Sequence, residues 1–357
     1  MTSHPHGAPA DGTVHTHVRD LPRLTSLRAF AAFAVAGYHL SQGVIYHFGF
    51  FSQGYAGVAF FFVLSGFVLT WSAAPNDTVR RFYRRRFARL YPNYLAAAVL
   101  AILLGEAAGA RVLIPNLLMV QAWWTDSTVV FGVNGVSWSL SCEVFFYACF
   151  PLLLLLFRRA SRVRIVVGVG LAYVAVCVAA GGVLAGQGIE GGLIAYSNPL
   201  VRSGEFVLGM VLAILLQHGW RPRVRVSFAV AAVVGSAVVS RVIDGPFPTP
   251  DLLLLPSFAA LIVAAALADL HGAPGVLRSA ALVRAGQVSF AFYLLHALVI
   301  QQVIKHLSAP VPVVVVAALA VAGLAAWALH EGVERPGQVL LGPSRRAASP
   351  PMGTVGR

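Results

Sequence analysis

Ten apolar runs, each near the length needed to cross a bilayer and set apart by clusters of arginine, restrict how this chain can fold more than any other feature. They cover about 25 to 47, 54 to 73, 88 to 109, 136 to 157, 164 to 184, 196 to 217, 224 to 242, 252 to 270, 286 to 306 and 311 to 331. A backbone in lipid must satisfy its own hydrogen bonds, so runs of this length predict helices. With 58% hydrophobic and only 11% charged residues over 357 positions, the chain reads as an all-α integral membrane protein of about ten transmembrane helices. Its richness in Ala, Val and Arg suits a high-GC bacterium, and a multi-pass place in the inner (plasma) membrane is expected. The net charge of +13 does not point to nucleic acid. All but one of the 26 basic residues are Arg, clustered where the anionic head groups of membrane lipid would meet them.

The arginines also test the count of spans. With a cytoplasmic amino terminus, Arg80, Arg81, Arg84, Arg85, Arg86 and Arg89 fall inside. So do Arg158, Arg159, Arg162 and Arg164, then Arg221, Arg223 and Arg225, then Arg278 and Arg284, and finally Arg335, Arg345 and Arg346. The outer loops keep Arg111, Arg241 and Lys305. Losing one span would invert every later loop, so both termini are expected in the cytoplasm. Residues 1–23 and 337–357 are expected to be disordered cytoplasmic tails around one membrane domain, 24–336. The tail histidines His4, His6, His15 and His17 read as solvated, and no metal site is expected. Cys142, Cys149 and Cys177 fall inside apolar runs and imply no disulfide framework. Between Arg111 and Val136 lies an apolar piece too short to cross, carrying Pro115. It is expected to sit at the interface or re-enter the membrane, anchored by Trp123 and Trp124.

Polar groups inside the runs carry the chemistry. In LTSLRAFAAFAVAGYHL, Arg28 and His39 are eleven positions apart. At about 100° and 1.5 Å per residue, that is three turns plus about 20°, so both project from one helix face about 16 Å apart. Burying an arginine in a bilayer costs at least ~2.5 kcal/mol, which makes the pair a functional candidate. Arg28 also fits a juxtamembrane anchor. Glu143 has Ser139 and Tyr147 one turn away on its own face, able to orient a carboxylate. Counted from the outer side, Glu143 should reach the depth of His39, and a carboxylate beside a histidine fixes its tautomer and makes it a better base.

Arg202 and Glu205, at i and i+3, are expected to form a structural ion pair. Ser289, Tyr293 and His296 form a polar stripe, which also fits an interhelical hydrogen-bond ladder. In RRFYRRRFARLYP, Arg86 and Arg89 at i and i+3 make one guanidinium fork able to grip phosphates. The same run also fits a membrane-surface anchor.

In their order along the chain, SLRAFAAFAVAGYHL, GVAFFFVLSGFVLTW, RRFARLYP, WSLSCEVFFY, VRSGEFVLGM, SFAFYLLH and HEGVERP resemble the acyltransferase 3 family of integral-membrane O-acyltransferases, from about Leu24 to Pro336. The resemblance implies that His39 is the essential catalytic histidine and Glu143 a functional carboxylate. It implies that Arg28, Arg86 and Arg89 serve the donor, acyl-CoA, with acetyl-CoA the first to be expected. Trp138, Arg202, Glu205, Tyr293, His296 and Glu334 match family positions of supporting kind. Many members have Asp where this chain has Ala59, and Gly or Asp-Gly where it has Thr25-Ser26.

The expected function is transfer of a short acyl group from acyl-CoA, a co-substrate with no bound cofactor, to a hydroxyl of a glycan or small natural product. The competing expectation is a transporter whose Arg, Glu and His residues line an intramembrane path.

Overall fold

A computed structural model describes residues 20–44, 51–74, 77–106, 109–159, 162–243 and 249–343. Every regular element among them is helical. The helices are α1 (Pro22–Gly43), α2 (Gly57–Trp71), α3 (Val79–Leu103), α4 (Ala110–Leu117), α5 (Ser127–Val130), α6 (Trp138–Arg159) and α7 (Val163–Ala185). There follow α8 (Gly188–Ser197), α9 (Pro199–Gln217), α10 (Val226–Ile243), α11 (Thr249–Leu270), α12 (Ala280–His306), α13 (Val311–Leu329) and α14 (Arg335–Leu341).

Eight helical stretches among the described residues are long and apolar enough to cross a membrane: Gly54–Trp71, Trp138–Arg159, Val163–Ala185, Gly188–Gln217, Val226–Ile243, Asp251–Leu270, Ala280–His306 and Val311–Leu341. The other two expected spans correspond to α1 and α3, of 22 and 25 residues. Both are long enough, but they hold the arginines. Helix α3 starts at Val79, ahead of the expected 88, so the run from Arg80 to Arg89 forms its opening turns; the Thr78 side chain caps the helix by accepting from Arg81 N at 3.2 Å. At its other end α3 stops at Leu103, short of the expected 109, ahead of Gly105 at φ +100.

The folded domain is wider than expected at both ends. Pro22 suits the first helical position of α1. Arg23 is buried, with Nη1 donating to Asp269 Oδ1 at 2.5 Å and Nη2 to the Pro274 carbonyl at 3.0 Å. After α13 a π-turn, His330–Glu334, leads into α14, so helix continues to Leu341. Of the tails expected at 1–23 and 337–357, residues 1–19, with their histidines, and 344–357 lie outside the described residues.

Small residues let backbones touch. A Cβ on Gly66 of α2 would lie 1.9 Å from the Phe206 carbonyl oxygen of α9, and one on Gly209 of α9 would lie 1.9 Å from the Val63 oxygen of α2. Gly286 of α12 meets Thr25 of α1 in the same way, at 1.9 Å. The segment after α3 is, as expected, too short to cross: α4 and α5 fold against the bundle. Tyr94 donates to the Asn116 carbonyl at 2.5 Å, and Asn134 Nδ2 to the Leu294 carbonyl at 2.8 Å. Trp123 packs edge-on to Phe145 at 5.2 Å and, like Trp124, keeps part of its ring exposed.

Candidate active site

Helices α1, α2, α6 and α12 share two cavities, one towards each end of α1. The first, of about 280 Å³, is lined by Arg28, Arg86, Arg89, Glu143 and Tyr147, with Asp20 also on its wall. The i, i+3 spacing of Arg86 and Arg89 does bring both guanidinium-bearing side chains to one cavity. Arg86 lies over the rings of Phe82 and Tyr147, 5.8 Å from each centroid, and its Nε is buried without a hydrogen-bond partner among the described residues. Such an arrangement presents several N–H donors to an anion while aromatic faces carry part of the cost of burying the charge.

Glu143 belongs to this cavity and not to that of His39, contrary to the sequence-based expectation. Its charged neighbours are Arg89, Arg28 and Arg86, and Tyr147 donates to its Oε2 at 3.1 Å. The reason is depth. Trp138, on the first turn of α6, lines the His39 cavity, and the five residues to Glu143 carry the helix about 7.5 Å further. Ser139, expected to orient Glu143, instead bonds the Tyr293 hydroxyl at 2.8 Å. Glu334, buried in the π-turn, accepts from His330 Nδ1 at 2.8 Å and Gln338 Nε2 at 3.2 Å, and its charge also acts on Arg28.

The second cavity, of about 660 Å³, is lined by His39, Tyr38, Gln42, Tyr55, Trp138, Tyr196 and Tyr293. Its histidine is half-buried, with the ring of His296 at 5.1 Å and that of Tyr38 at 5.3 Å. His296 is fully buried and its Nδ1 lies 2.7 Å from the Tyr293 carbonyl. A carbonyl can only accept, so Nδ1 carries the proton and Nε2 is left with its lone pair. That Nε2 has no partner among the described residues. The polar stripe on α12 is therefore more than a ladder. Tyr293 does bond across helices, its hydroxyl 2.8 Å from Ser139 Oγ of α6, and it donates to the Val136 carbonyl just ahead of that helix at 2.9 Å, but His296 backs His39.

Two features of this cavity were missed in the sequence. Glu106 supplies a carboxylate to its wall; it lay inside the expected span 88–109 and was open to the same burial argument as Glu143. Val133, also on the wall, has φ +61, a left-handed conformation that a β-branched residue rarely adopts.

Arg202 and Glu205 pair as expected, Nη2 to Oε1 at 3.0 Å, but Asp251 is a third member, accepting from Nη1 at 2.8 Å. It was overlooked because the expected span began at 252. The Arg202 guanidinium lies 5.9 Å from the ring centroids of Trp138 and Tyr196, so the buried ion cluster stands directly behind the aromatic wall of the His39 cavity. Between the cavities, Phe61 of the first and Tyr293 of the second meet edge to face at 5.9 Å.

Comparison with known proteins bears on the chain as a whole. Residues 21–331 match the sequence profile of the family described as Acyltransferase domain. The chain is 38% identical to the acyltransferase MdmB of Streptomyces mycarofaciens, over 93% of this chain and 95% of that protein. It is 30% identical to the exopolysaccharide production protein ExoZ of Rhizobium meliloti, over 75% of this chain and 82% of that one. To the peptidoglycan O-acetyltransferase OatA of Listeria monocytogenes it is 29% identical, over 42% of this chain and 28% of that protein. No solved structure matches.

Proposed function

This chain belongs to the acyltransferase 3 family, and on that footing we propose that it moves a short acyl group, acetyl in the first instance, from acyl-CoA to a hydroxyl of a glycan or a small natural product. The observation that carries the reading is the pair of cavities at the two ends of one helix face. An arginine cavity suited to phosphates sits about three turns of α1 from a cavity holding a histidine.

In this reaction His39 takes the acceptor's proton as its oxygen attacks the thioester carbonyl. The tetrahedral oxyanion collapses, the carbon–sulfur bond breaks, and the imidazolium returns the proton to the leaving thiolate. The products are an ester and free CoA. His296 fixes the His39 ring from behind, and the donor's phosphates rest on Arg28, Arg86 and Arg89. The roughly 16 Å between Arg28 and His39 is a length that a pantetheine arm spans. Ten crossings, with both termini and the arginine cavity on the cytoplasmic side of the inner membrane, put that cavity where acyl-CoA is available.

The test is direct. Purified protein is incubated with labelled acetyl-CoA and an extract of the producing cells, and a base-labile ester product is sought. A labelled product lost in His39→Ala supports the reading; no acyl-CoA-dependent product with the wild-type protein overturns it.

A further inference from the structure

A third cavity adjoins the arginine cavity and has no part in the mechanism above. Its volume is about 490 Å³, within the range of small-molecule sites. The two cavities share Leu69, Ser72 and Arg86, so Arg86 stands in the wall between them. Around the third cavity lie Arg81, Arg85 and Arg86 from the first turns of α3 and Arg158 from the last turn of α6, against one carboxylate, Asp77. Four guanidinium groups facing one carboxylate make a strongly cationic bowl. The floor is apolar and partly flat: the rings of Phe82 and Phe150 stack at 5.1 Å and 25°.

The cations are unevenly engaged. Arg85 is paired with Asp77 through both terminal nitrogens, Nη1 donating to Oδ1 at 2.8 Å and Nη2 to Oδ2. Arg158 donates one bond from Nη2, to the Ala73 carbonyl at 2.9 Å, and Arg81 makes no ion pair among the described residues. A ligand that suits this bowl has a planar aromatic part for the floor and a doubly charged phosphate for the rim.

From this geometry, and resting on the acyl-CoA reading above, we propose that the bowl formed by Arg81, Arg85 and Arg158 binds the 3′-phosphorylated adenosine end of the donor, with Arg86 passing the chain of phosphates into the neighbouring cavity. The phosphomonoester is thus read by arginines outside the Arg28, Arg86 and Arg89 set. An anionic lipid head group carries related chemistry. The nucleotide is favoured because the bowl opens onto the donor cavity at Arg86 and has an aromatic floor, which a lipid phosphate does not require.

The experiment is calorimetric binding to the full chain in nanodiscs of zwitterionic lipid, with adenosine 3′,5′-bisphosphate and 5′-AMP as probes, so that no turnover is needed. The wild type should bind the bisphosphate roughly tenfold more tightly than 5′-AMP. Arg85→Gln and Arg158→Gln should erase most of that preference while leaving 5′-AMP binding unchanged. Asp77→Asn, which releases Arg85, should tighten the bisphosphate a few-fold, a change opposite in sign to general damage. Equal binding of both probes by the wild type overturns the proposal, as does an unchanged preference in the two glutamine variants. Preference seen only when anionic lipid is left out, and displaced by it, assigns the bowl to lipid and likewise overturns it. Failure of the acyl-CoA reading shows separately, as absence of ester product in the transfer assay.

Discussion

His39 is the imidazole placed to take a proton from an acceptor hydroxyl, held half-buried on the wall of the larger cavity with the ring of His296 behind it. Replacing it with Ala should leave a folded, inserted protein whose transfer rate falls by at least about 100-fold, the lower end of general-base assistance. Retention of more than about a tenth of the activity, in a protein with an unchanged elution profile, removes His39 from the mechanism. At Arg86 and Arg89, substitution by Lys keeps the charge and loses the planar fork. The KM for acetyl-CoA should rise several-fold while the acceptor KM stays put, and a shift in the acceptor constant instead would move these residues to the other substrate.

Asp77 bears on the pH dependence of the same region. Its bond to Arg85 holds the carboxyl below the ordinary carboxylate range, against a smaller opposing effect of burial. A lowered folded-state value means that the pair's contribution is complete above the ordinary value near 4 and is lost as pH falls through the lowered one. Between about pH 5 and 8, therefore, Asp77→Asn should change the level of donor affinity but not its slope against pH.

At the scale of elements, glycines set the spacing of helices. Added Cβ atoms at Gly66 or Gly209 would meet backbone oxygens of the partner helix at 1.9 Å, and backbone cannot step aside as a side chain does. Gly66→Ala and Gly209→Ala should each destabilise by about 1–3 kcal/mol and lower the thermal midpoint in detergent. An unchanged midpoint would show that α2 and α9 separate at no cost.

The helices themselves were legible because lipid imposes length and apolarity, and the alignment of Arg28 and His39 followed from the helical period alone. Depth was not legible in the same way. Glu143 lies on α6 as expected, but which cavity it meets depends on where the arginine-bearing turns of α3 lie against α6, and a pattern within one helix does not give that. Span edges failed for a related reason: Asp251 and Glu106 fall where apolar runs fade, so one was left in a loop and the other was not weighed. The contact of His296 with His39 is a meeting of α1 with α12, set by the close approach at Gly286 and invisible to any pattern within one helix.

Seen as a whole, the molecule has two cavities towards the two ends of α1, and the proposed function assigns anion binding to the arginine-lined one and proton transfer to the one that holds His39. Sealed vesicles test the sidedness that this implies. With acetyl-CoA confined to the arginine-rich face and a membrane-impermeant acceptor supplied to either side in turn, product should form with the acceptor on the opposite face. Product only with both substrates on the arginine face would place the whole reaction in the cytoplasm while leaving acyl transfer intact. The separation itself is tested most directly by measuring the affinity of acetyl-CoA for the wild type, for His39→Ala and for the double variant Arg86→Lys, Arg89→Lys by calorimetry in nanodiscs. Wild-type affinity in His39→Ala, with roughly tenfold or greater weakening in the double variant, is the predicted result. Loss of acetyl-CoA binding in His39→Ala, or full binding in the double variant, would contradict it.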